Sequence, residues 1–248
     1  MAERLLGYPL AFDLPGRVRG WQTTRRGGVS APPWHTLNLG THVGDDPAAV
    51  AVNRERVREA APLPAAPVYL EQVHGTEVVD LGTVVPGRAP RADAAVAFEP
   101  GRVAVVLTAD CLPILFTDRH GTRVAAAHGG WRGLTAGVLE ATVAALGCRP
   151  ESLLAWIGPG IGAAHYEVGP EVVAAVRARH PFAAAAVSAS GGAQRLHLAQ
   201  YAASILANLG VGTVTAADTC TASEPALWFS HRRDGTTGRQ GAFIWIEP

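Results

Sequence analysis

Cys111-Leu-Pro-Ile-Leu-Phe-Thr117, then Asp118-Arg-His-Gly121, then Thr122-Arg-Val-Ala-Ala-Ala-His128 is the stretch on which the fold turns. Two apolar runs flank a short polar loop ending in glycine, the pattern of a β-hairpin with a four-residue connection. That register sets Thr117 opposite Thr122 and Cys111 opposite His128. Directly opposed residues of an antiparallel pair have Cα atoms about 4.5–5.5 Å apart and point to the same face. The hairpin therefore predicts a thiol and an imidazole side by side. Pro113 has no N–H to give to a ladder, so this strand is expected at a sheet edge or locally irregular.

Working outward, further strands are expected at Val68–Val73, Glu77–Leu81, Arg102–Leu107, Leu153–Ile157, Val211–Thr215 and Ala242–Ile246. Helical patterns cover Asp46–Ala60, Leu134–Leu146, Pro170–His180 and Ala199–Leu209. Asp45 or Asp46 caps the first, with Pro47 in its first turn. Leu134, Val138, Ala141 and Ala145 form one apolar stripe on the second, and Gly147 ends it. Pro170 opens the third and Gly210 closes the fourth. Ala60–Pro67, Pro86–Pro90 and Ala183–Ala193 read as surface loops on one domain rather than linkers. Strands outnumber helices and several are adjacent, which favours mixed sheets in an α+β fold over strict alternation.

Composition narrows the chemistry. The 248 residues carry 21 basic and 21 acidic side chains, a formal net charge of zero, and 48% are hydrophobic, ample for a core. All the basic residues are arginine; the chain contains no lysine. This excludes a Schiff-base lysine, a P-loop lysine and a lysine general base. Phosphate or carboxylate must be met by guanidinium, backbone N–H or a metal. A pI near 7.1 without a basic run gives no footprint for nucleic acid or an anionic membrane. No apolar run approaches the ~20 residues of a membrane span. The stretch Met1–Gly16 has early charge and no apolar core, so no signal peptide is expected. Cys111, Cys148 and Cys220, without Cys-x-x-Cys spacing, suit a reducing, cytoplasmic setting.

The predicted Cys111–His128 neighbourhood allows two chemistries, a metal pair or a Cys–His dyad. Thr108-Ala-Asp110 places Cys111 at the end of an apolar strand. His128 leads into Gly129-Gly-Trp-Arg-Gly133 and a helix start, where free N–H groups and Arg132 offer an anion site. His74, in Glu71-Gln-Val-His-Gly75, is a third ligand candidate. One Cys and two His, widely spaced, match an open catalytic zinc site completed by water rather than a zinc finger. His35 and His42 lie in a polar loop suited to bordering a site. His120, His180, His197, Cys148 and Cys220 read as structural. Thr24-Arg25-Arg26-Gly27-Gly28 and Phe229-Ser-His-Arg-Arg-Asp234 are turns able to hold phosphate. Gly158-Pro-Gly-Ile-Gly162 resembles a phosphate loop only loosely.

These motifs together resemble the YfiH-type family, long described as laccase-domain polyphenol oxidases and now assigned as purine nucleoside phosphorylases. The resemblance rests on Thr24-Arg25, Gly27-Gly-Val-Ser30, Leu37-Asn-Leu-Gly40, His42-Val-Gly-Asp45, Gln72-Val-His-Gly75 and Thr108-Ala-Asp-Cys-Leu-Pro113. It continues through Ala127-His128, Gly130-Trp-Arg-Gly133, Ile157-Gly-Pro159, Tyr166-Glu-Val-Gly169 and Phe229-Ser…Arg232-Arg-Asp234. It spans nearly the whole chain, taken as one domain over 1–248. His231 stands where the family pattern has an aromatic Tyr.

The resemblance implies a four-layer αββα fold with mixed β-sheets, and one zinc per chain held by His74, Cys111 and His128. It also implies phosphorolysis of adenosine, inosine, guanosine and methylthioadenosine, with adenosine deamination at the same site. Arg25, Arg132 and Arg233 are the candidate phosphate or substrate contacts, and Asn38 is placed on a ribose hydroxyl. Asp110 and Glu167 are the carboxylates considered for proton transfer in deamination. Copper is not expected. A multicopper oxidase needs about ten histidines, partly as His-x-His, whereas this chain has nine, no such pair, and only Met1 as methionine. The rival readings are a metal-free Cys–His hydrolase or amidase with Cys111 as nucleophile and His128 as base, a cell-wall precursor editing hydrolase, and a binding module without catalysis.

Overall fold

The computed structural model describes residues 6–10, 14–85, 87 and 89–248. Parts of Met1–Gly16, and Pro86 and Arg88 of the loop expected at Pro86–Pro90, lie outside the described residues. Two sheets carry the fold. The first runs β1 (Gly7–Pro9), β2 (Val18–Thr23), β12 (Gln240–Ile246) and β5 (Val103–Thr108), all antiparallel. The second has six strands in the order β11 (Thr213–Ala216), β8 (Leu153–Ile157), β6 (Leu112–Asp118), β7 (Val124–Gly129), β4 (Ala94–Ala97) and β3 (Val78–Asp80). It is mixed: β11–β8 and β3–β4 are parallel and the rest antiparallel. A separate hairpin joins β9 (Val187–Ser190) to β10 (Ala193–Leu196).

Strand periodicity sorts the core into three layers. On β5 and β12, Ala104, Val106, Ala242, Ile244 and Ile246 meet Leu115, Val124, Ala126 and Trp156 of the facing sheet. The alternate residues Val103, Val105, Leu107, Phe243 and Trp245 pack outward with Val57 of helix α1 (Pro47–Ala60). On the other side Ile114, Phe116, Ala125 and Ala127 face α2 (Trp131–Ala136), α3 (Val138–Leu146), α4 (Pro170–Arg179) and α5 (Leu198–Asn208). Helix, sheet, sheet, helix is the four-layer αββα arrangement expected from the resemblance, in one mixed α+β domain. A final short helix, α6, spans His231–Asp234.

The deciding hairpin forms with a different register. Thr117 pairs with Val124 and Pro113 with His128, so the strands slip by two residues from the expected pairing. The cause is Asp118, which extends β6 by one residue and whose buried carboxylate takes the N–H of Thr122 at 2.7 Å and its hydroxyl at 2.8 Å. The loop thereby grows to Arg119–Arg123. A slip of two keeps every side chain on its face, whereas a slip of one would exchange them. Cys111, two residues before Pro113, therefore remains on the face of His128. β6 is also interior, between β7 and β8, rather than an edge. Pro113 is tolerated near the strand start, where its carbonyl accepts from Gly158 N–H at 2.8 Å.

Other departures have local causes. The helix expected at Leu134–Leu146 is divided by Gly137, whose φ of 108° closes α2 and opens α3. That break resets the phase: Val138, Leu139, Thr142, Val143 and Leu146 are the buried positions of α3, so of the expected stripe Leu134 and Val138 are buried and Ala141 and Ala145 are not. Val68–Val73 forms single bridges, Val68 to Ala104 and Glu71 to Arg91, instead of a ladder. Ala183–Ala193, read as a loop, instead carries a short 3₁₀ turn and strand β9. Strand β4, Ala-Ala-Val-Ala, has a weak strand signal but is buried throughout between β7 and β3. Asp46 is the α1 cap, accepting from Ala48 N–H at 2.9 Å.

Candidate active site

At one end of the sandwich β5 and β7 finish while β4, β6 and β12 begin. Cys111, one residue before β6, and His128, near the end of β7, open there into the layer between the sheets. His74 reaches them from a loop beside β5, where the Gln72 amide pairs with both backbone groups of Leu107 at 2.8 Å. The donor atoms of His74, Cys111 and His128 all lie within 4.8 Å of one another. Cys111 Sγ is 3.7 Å from His74 Nε2, and the two imidazole rings meet edge to face at 4.7 Å between centroids. Gly130 is required by this crowding, since a Cβ there would lie 2.7 Å from His74 Cδ2 and 3.0 Å from Cys111 Sγ.

Asp93 organises the three. It is fully buried immediately before β4, and its Oδ1 lies 2.9 Å from His128 Nδ1. The same carboxylate accepts the N–H groups of Val73, His74 and Gly75 at 3.1, 2.8 and 2.7 Å. Those bonds hold His74 at φ 60°, a left-handed conformation rarely adopted by a side-chain-bearing residue. Burial works to raise the Asp93 carboxyl, but the hydrogen bonds from His128, Gly75 and Val73 keep it below its ordinary value. Burial also opposes a charged Cys111, yet His128 and a hydrogen bond from His74 bring the thiol down to about 6. His128 is carried up to about 9 against its own burial by Cys111 and Asp93. The cluster therefore favours a thiolate, the form that attacks carbon or ligates metal.

The cluster floors a cavity of about 300 Å³ lined also by His42, Gln72, Leu107, Thr108, Ala109, His231 and Arg239. His42 is pushed below its ordinary value by burial and by Arg239, Arg54 and His128. It borders the site as its polar loop suggested. His35 does not; it packs against Arg25.

Of the nine residues singled out in the sequence, the structure brings His74, Cys111 and His128 together and sets the others around them. Arg25 is buried, bonded to the carbonyls of His35 and Pro225 and paired with Asp234 at 3.6 Å. Arg233 grips both Asp234 oxygens at 2.7 Å and the carbonyls of Thr221 and Trp228. Asn38 is buried, bonded to Asp45, to both backbone groups of Gly40 and to Arg239 N–H. Asp110 accepts from Thr221 Oγ1 and Arg232 N–H, both at 2.6 Å, and so ties α6 to its neighbours. Glu167 is exposed and Arg132 lies over the Trp131 ring; neither lines the cavity. The helix after Gly130 has only six residues. In the Gly158–Gly162 loop, Cβ atoms at Gly158 and Gly160 would strike Trp156 and Leu112, so these glycines serve packing.

Sequence reading missed Asp93 and Arg239. The signal for Asp93 was a lone carboxylate at the head of the apolar run Ala94-Ala-Val-Ala97, where burial demands a partner. Arg239 lies in a Gly-flanked turn, and its role needs the third dimension.

Fold and site together define a four-layer αββα protein with a single His–Cys–His cluster, among the described residues, at the mouth of its sandwich. Residues 19–247 match a family model described as multi-copper polyphenol oxidoreductase laccase. The chain is 50% identical over 235 residues to "Purine nucleoside phosphorylase YfiH" of Shigella flexneri, covering 95% of this chain and 96% of that protein. It is 48% identical over 238 residues to "Purine nucleoside phosphorylase PA4543" of Pseudomonas aeruginosa, covering 95% and 96%. The crystal structure of Neisseria meningitidis NMB0706 superposes with a TM-score of 0.93 at 44% identity, over 98% of this chain and 100% of that one. YlmD from Geobacillus stearothermophilus gives 0.87 at 31% identity, over 98% and 100%. The chain belongs to the YfiH family. No helix among the described residues is long and apolar enough to cross a membrane.

Proposed function

We propose that this chain, as one domain over 1–248, is a zinc-dependent purine nucleoside phosphorylase acting on adenosine, inosine, guanosine and methylthioadenosine, with adenosine deamination at the same site. The observation that carries the reading is the His74–Cys111–His128 cluster at the base of a cavity of about 300 Å³. The names of relatives at 48–50% identity supply the substrate class, purine nucleosides and phosphate. The residues fit a zinc ion: one thiolate and two imidazoles within 4.8 Å, with a carboxylate behind one imidazole. When bound, such an ion supplies Lewis acidity. We place the protein in the cytoplasm.

The chain's own residues account for the remaining requirements. Asp93 fixes the His128 tautomer by accepting from Nδ1, which leaves Nε2 as the ligating nitrogen. Gln72 and Asp93 brace the His74 loop from two sides. In phosphorolysis a phosphate oxygen bonds to C1′ as the C1′–N9 pair leaves with the base, so the cavity must hold an anion beside the ribose. Deamination needs a group that carries a proton. Among the described residues lining the cavity none is Asp or Glu. His42, which lines the cavity and whose pKa burial lowers, suits that task better than Asp110 or Glu167, which do not line it.

One observation favours a second reading. Cys111, His128 and Asp93 form a thiol–imidazole–carboxylate chain with the thiol near 6, the geometry of a cysteine nucleophile. The tests are separate. Purified protein is given adenosine and phosphate, and ribose 1-phosphate, adenine and inosine are sought. Their absence with zinc-loaded protein ends the first reading. One zinc per chain, lost in Cys111→Ala, supports it; rapid alkylation of Cys111 in fully active, zinc-free protein supports the second.

A further inference from the structure

The arginines of this chain differ in what is left for a ligand. Arg25 and Arg233 are spent on carbonyls and on Asp234. Arg54 gives Nε and Nη2 to the Leu39 carbonyl and stacks on Tyr69 at 3.5 Å. Arg232 is bonded to the carbonyl of Glu167 and lies against Tyr166. Arg239 is the exception. It lines the cavity together with the His–Cys–His cluster, and among the described residues only its Nη1 is engaged, by the carbonyls of Thr237 and Gly238 at 3.0 Å. No carboxylate lies within ion-pair distance of it among the described residues.

Its position is nonetheless built. Arg239 N–H donates to Asn38 Oδ1 at 2.9 Å, its carbonyl accepts from Leu39 N–H at 3.1 Å, and Gly40 gives room for its stem, since a Cβ there would lie 2.9 Å from Arg239 Cγ. Burial lowers its pKa, with only Cys111 and Asp110 opposing, so its charge is poorly compensated by the protein. A guanidinium held in place, partly desolvated and left with two free donor nitrogens is a receptor for an oxyanion. His42 lines the same cavity and can add a ring N–H; His231 lines it too, with its Nδ1–H given to the Gly235 carbonyl at 2.6 Å.

We infer that Arg239, flanked by His42 and His231, is the anion subsite of the cavity and takes a phosphate group, as inorganic phosphate or the phosphate of a sugar 1-phosphate. The inference rests on the phosphorylase reading for the identity of the anion. It moves the phosphate contact from Arg25, Arg132 and Arg233 to a residue that sequence motifs did not single out. Asn38 then acts on the reaction through Arg239, as a positioning residue, rather than by touching ribose.

The test measures equilibrium binding of inorganic phosphate and of ribose 1-phosphate by calorimetry to the full chain, in wild type, Arg239→Gln and Arg239→Lys. Loss of a charge-assisted guanidinium contact predicts about 10- to 100-fold weaker binding in the Gln variant. The Lys variant recovers part of it through charge without the fork. In steady state, KM for phosphate rises by a similar factor while KM for adenosine changes by less than about threefold. Unchanged phosphate affinity in Arg239→Gln overturns the subsite, as does an affinity abolished by chelation but indifferent to residue 239. If ribose 1-phosphate forms with an unchanged KM for phosphate, the subsite falls and the phosphorylase reading stands. If phosphate binds through Arg239 but no nucleoside is cleaved, the phosphorylase reading falls and the subsite stands.

Discussion

Asp93 Oδ1 sits 2.9 Å from His128 Nδ1 and 2.8 Å from the backbone nitrogen of His74, so one carboxylate oxygen serves two members of the cluster. The two histidines belong to different parts of the fold, a strand end and a loop, and Asp93 is the group that both contact. Asp93→Asn cannot reproduce this arrangement. An amide has one acceptor oxygen, and its NH2 would face either His128 or the N–H groups of Val73 and Gly75. Loss of such an outer carboxylate costs about 10- to 100-fold in metal affinity. Competition between the protein and a zinc chelator measures it, and cobalt(II) substitution adds a thiolate-to-metal absorption band that reports on the geometry. Wild-type affinity in the variant would remove Asp93 from this role.

Gly130 offers a test of space alone. Its backbone, at φ −77° and ψ 153°, is open to any residue. The only objection to alanine is therefore the 2.7 Å approach to His74 and the 3.0 Å approach to Cys111. His74 is exposed and can yield outward, so the prediction for Gly130→Ala is a widened cluster rather than an unfolded protein. Zinc affinity should fall at least tenfold while global stability drops by only about 1–3 kcal/mol, the usual cost of an inserted methyl. Zinc content after dialysis and a urea melt distinguish the two. A variant that keeps zinc as tightly as wild type would show that the cluster tolerates the extra carbon.

The faces of the site were legible in the sequence and its partnerships were not. Alternation along Leu112–Thr117 and Val124–His128 fixes which side each residue takes, and it survives the two-residue slip because side chains repeat every second position. Loop length was misread because Asp118 substitutes its carboxylate for ladder partners, a side-chain effect invisible to hydrophobic pattern. Arginines posed the opposite problem. Arg25 and Arg239 look alike in sequence, both within two residues of a glycine in polar segments. What separates them is whether carbonyls from Pro225 and Trp228, about two hundred residues distant, come to meet the guanidinium. Contacts at that separation leave no trace in local composition.

Arg25 is accordingly predicted to act on stability. Its guanidinium joins the carbonyls of His35, Pro225 and Trp228 to Asp234 and lies 4.7 Å from the Phe229 ring centre. Arg25→Ala leaves those buried acceptors unmet and should cost about 3 kcal/mol in urea unfolding. Phosphate binding by the folded protein should be preserved within about threefold, because the two sites share no partner. A stable variant with abolished phosphate binding would return Arg25 to the substrate.

Asp234 closes the same network and gives it a pH dependence. Burial tends to raise its carboxyl, but the bidentate Arg233 and the nearby Arg25 hold it below the ordinary carboxylate value. A group depressed in the folded state contributes stability that is fully present above its unfolded pKa, about 3.9, and is lost as pH falls through the folded one. Asp234→Asn should therefore destabilise the protein by about 1 kcal/mol at pH 7, the scale of a partly exposed ion pair. The difference from wild type should shrink steadily below about pH 4, as the wild-type carboxylate also becomes neutral. Urea melts at neutral pH and near pH 3 measure both limits. A gap that widens on acidification would mean that the Asp234 carboxyl is raised, not lowered, by its surroundings, and that Arg233 is held by its carbonyl contacts alone.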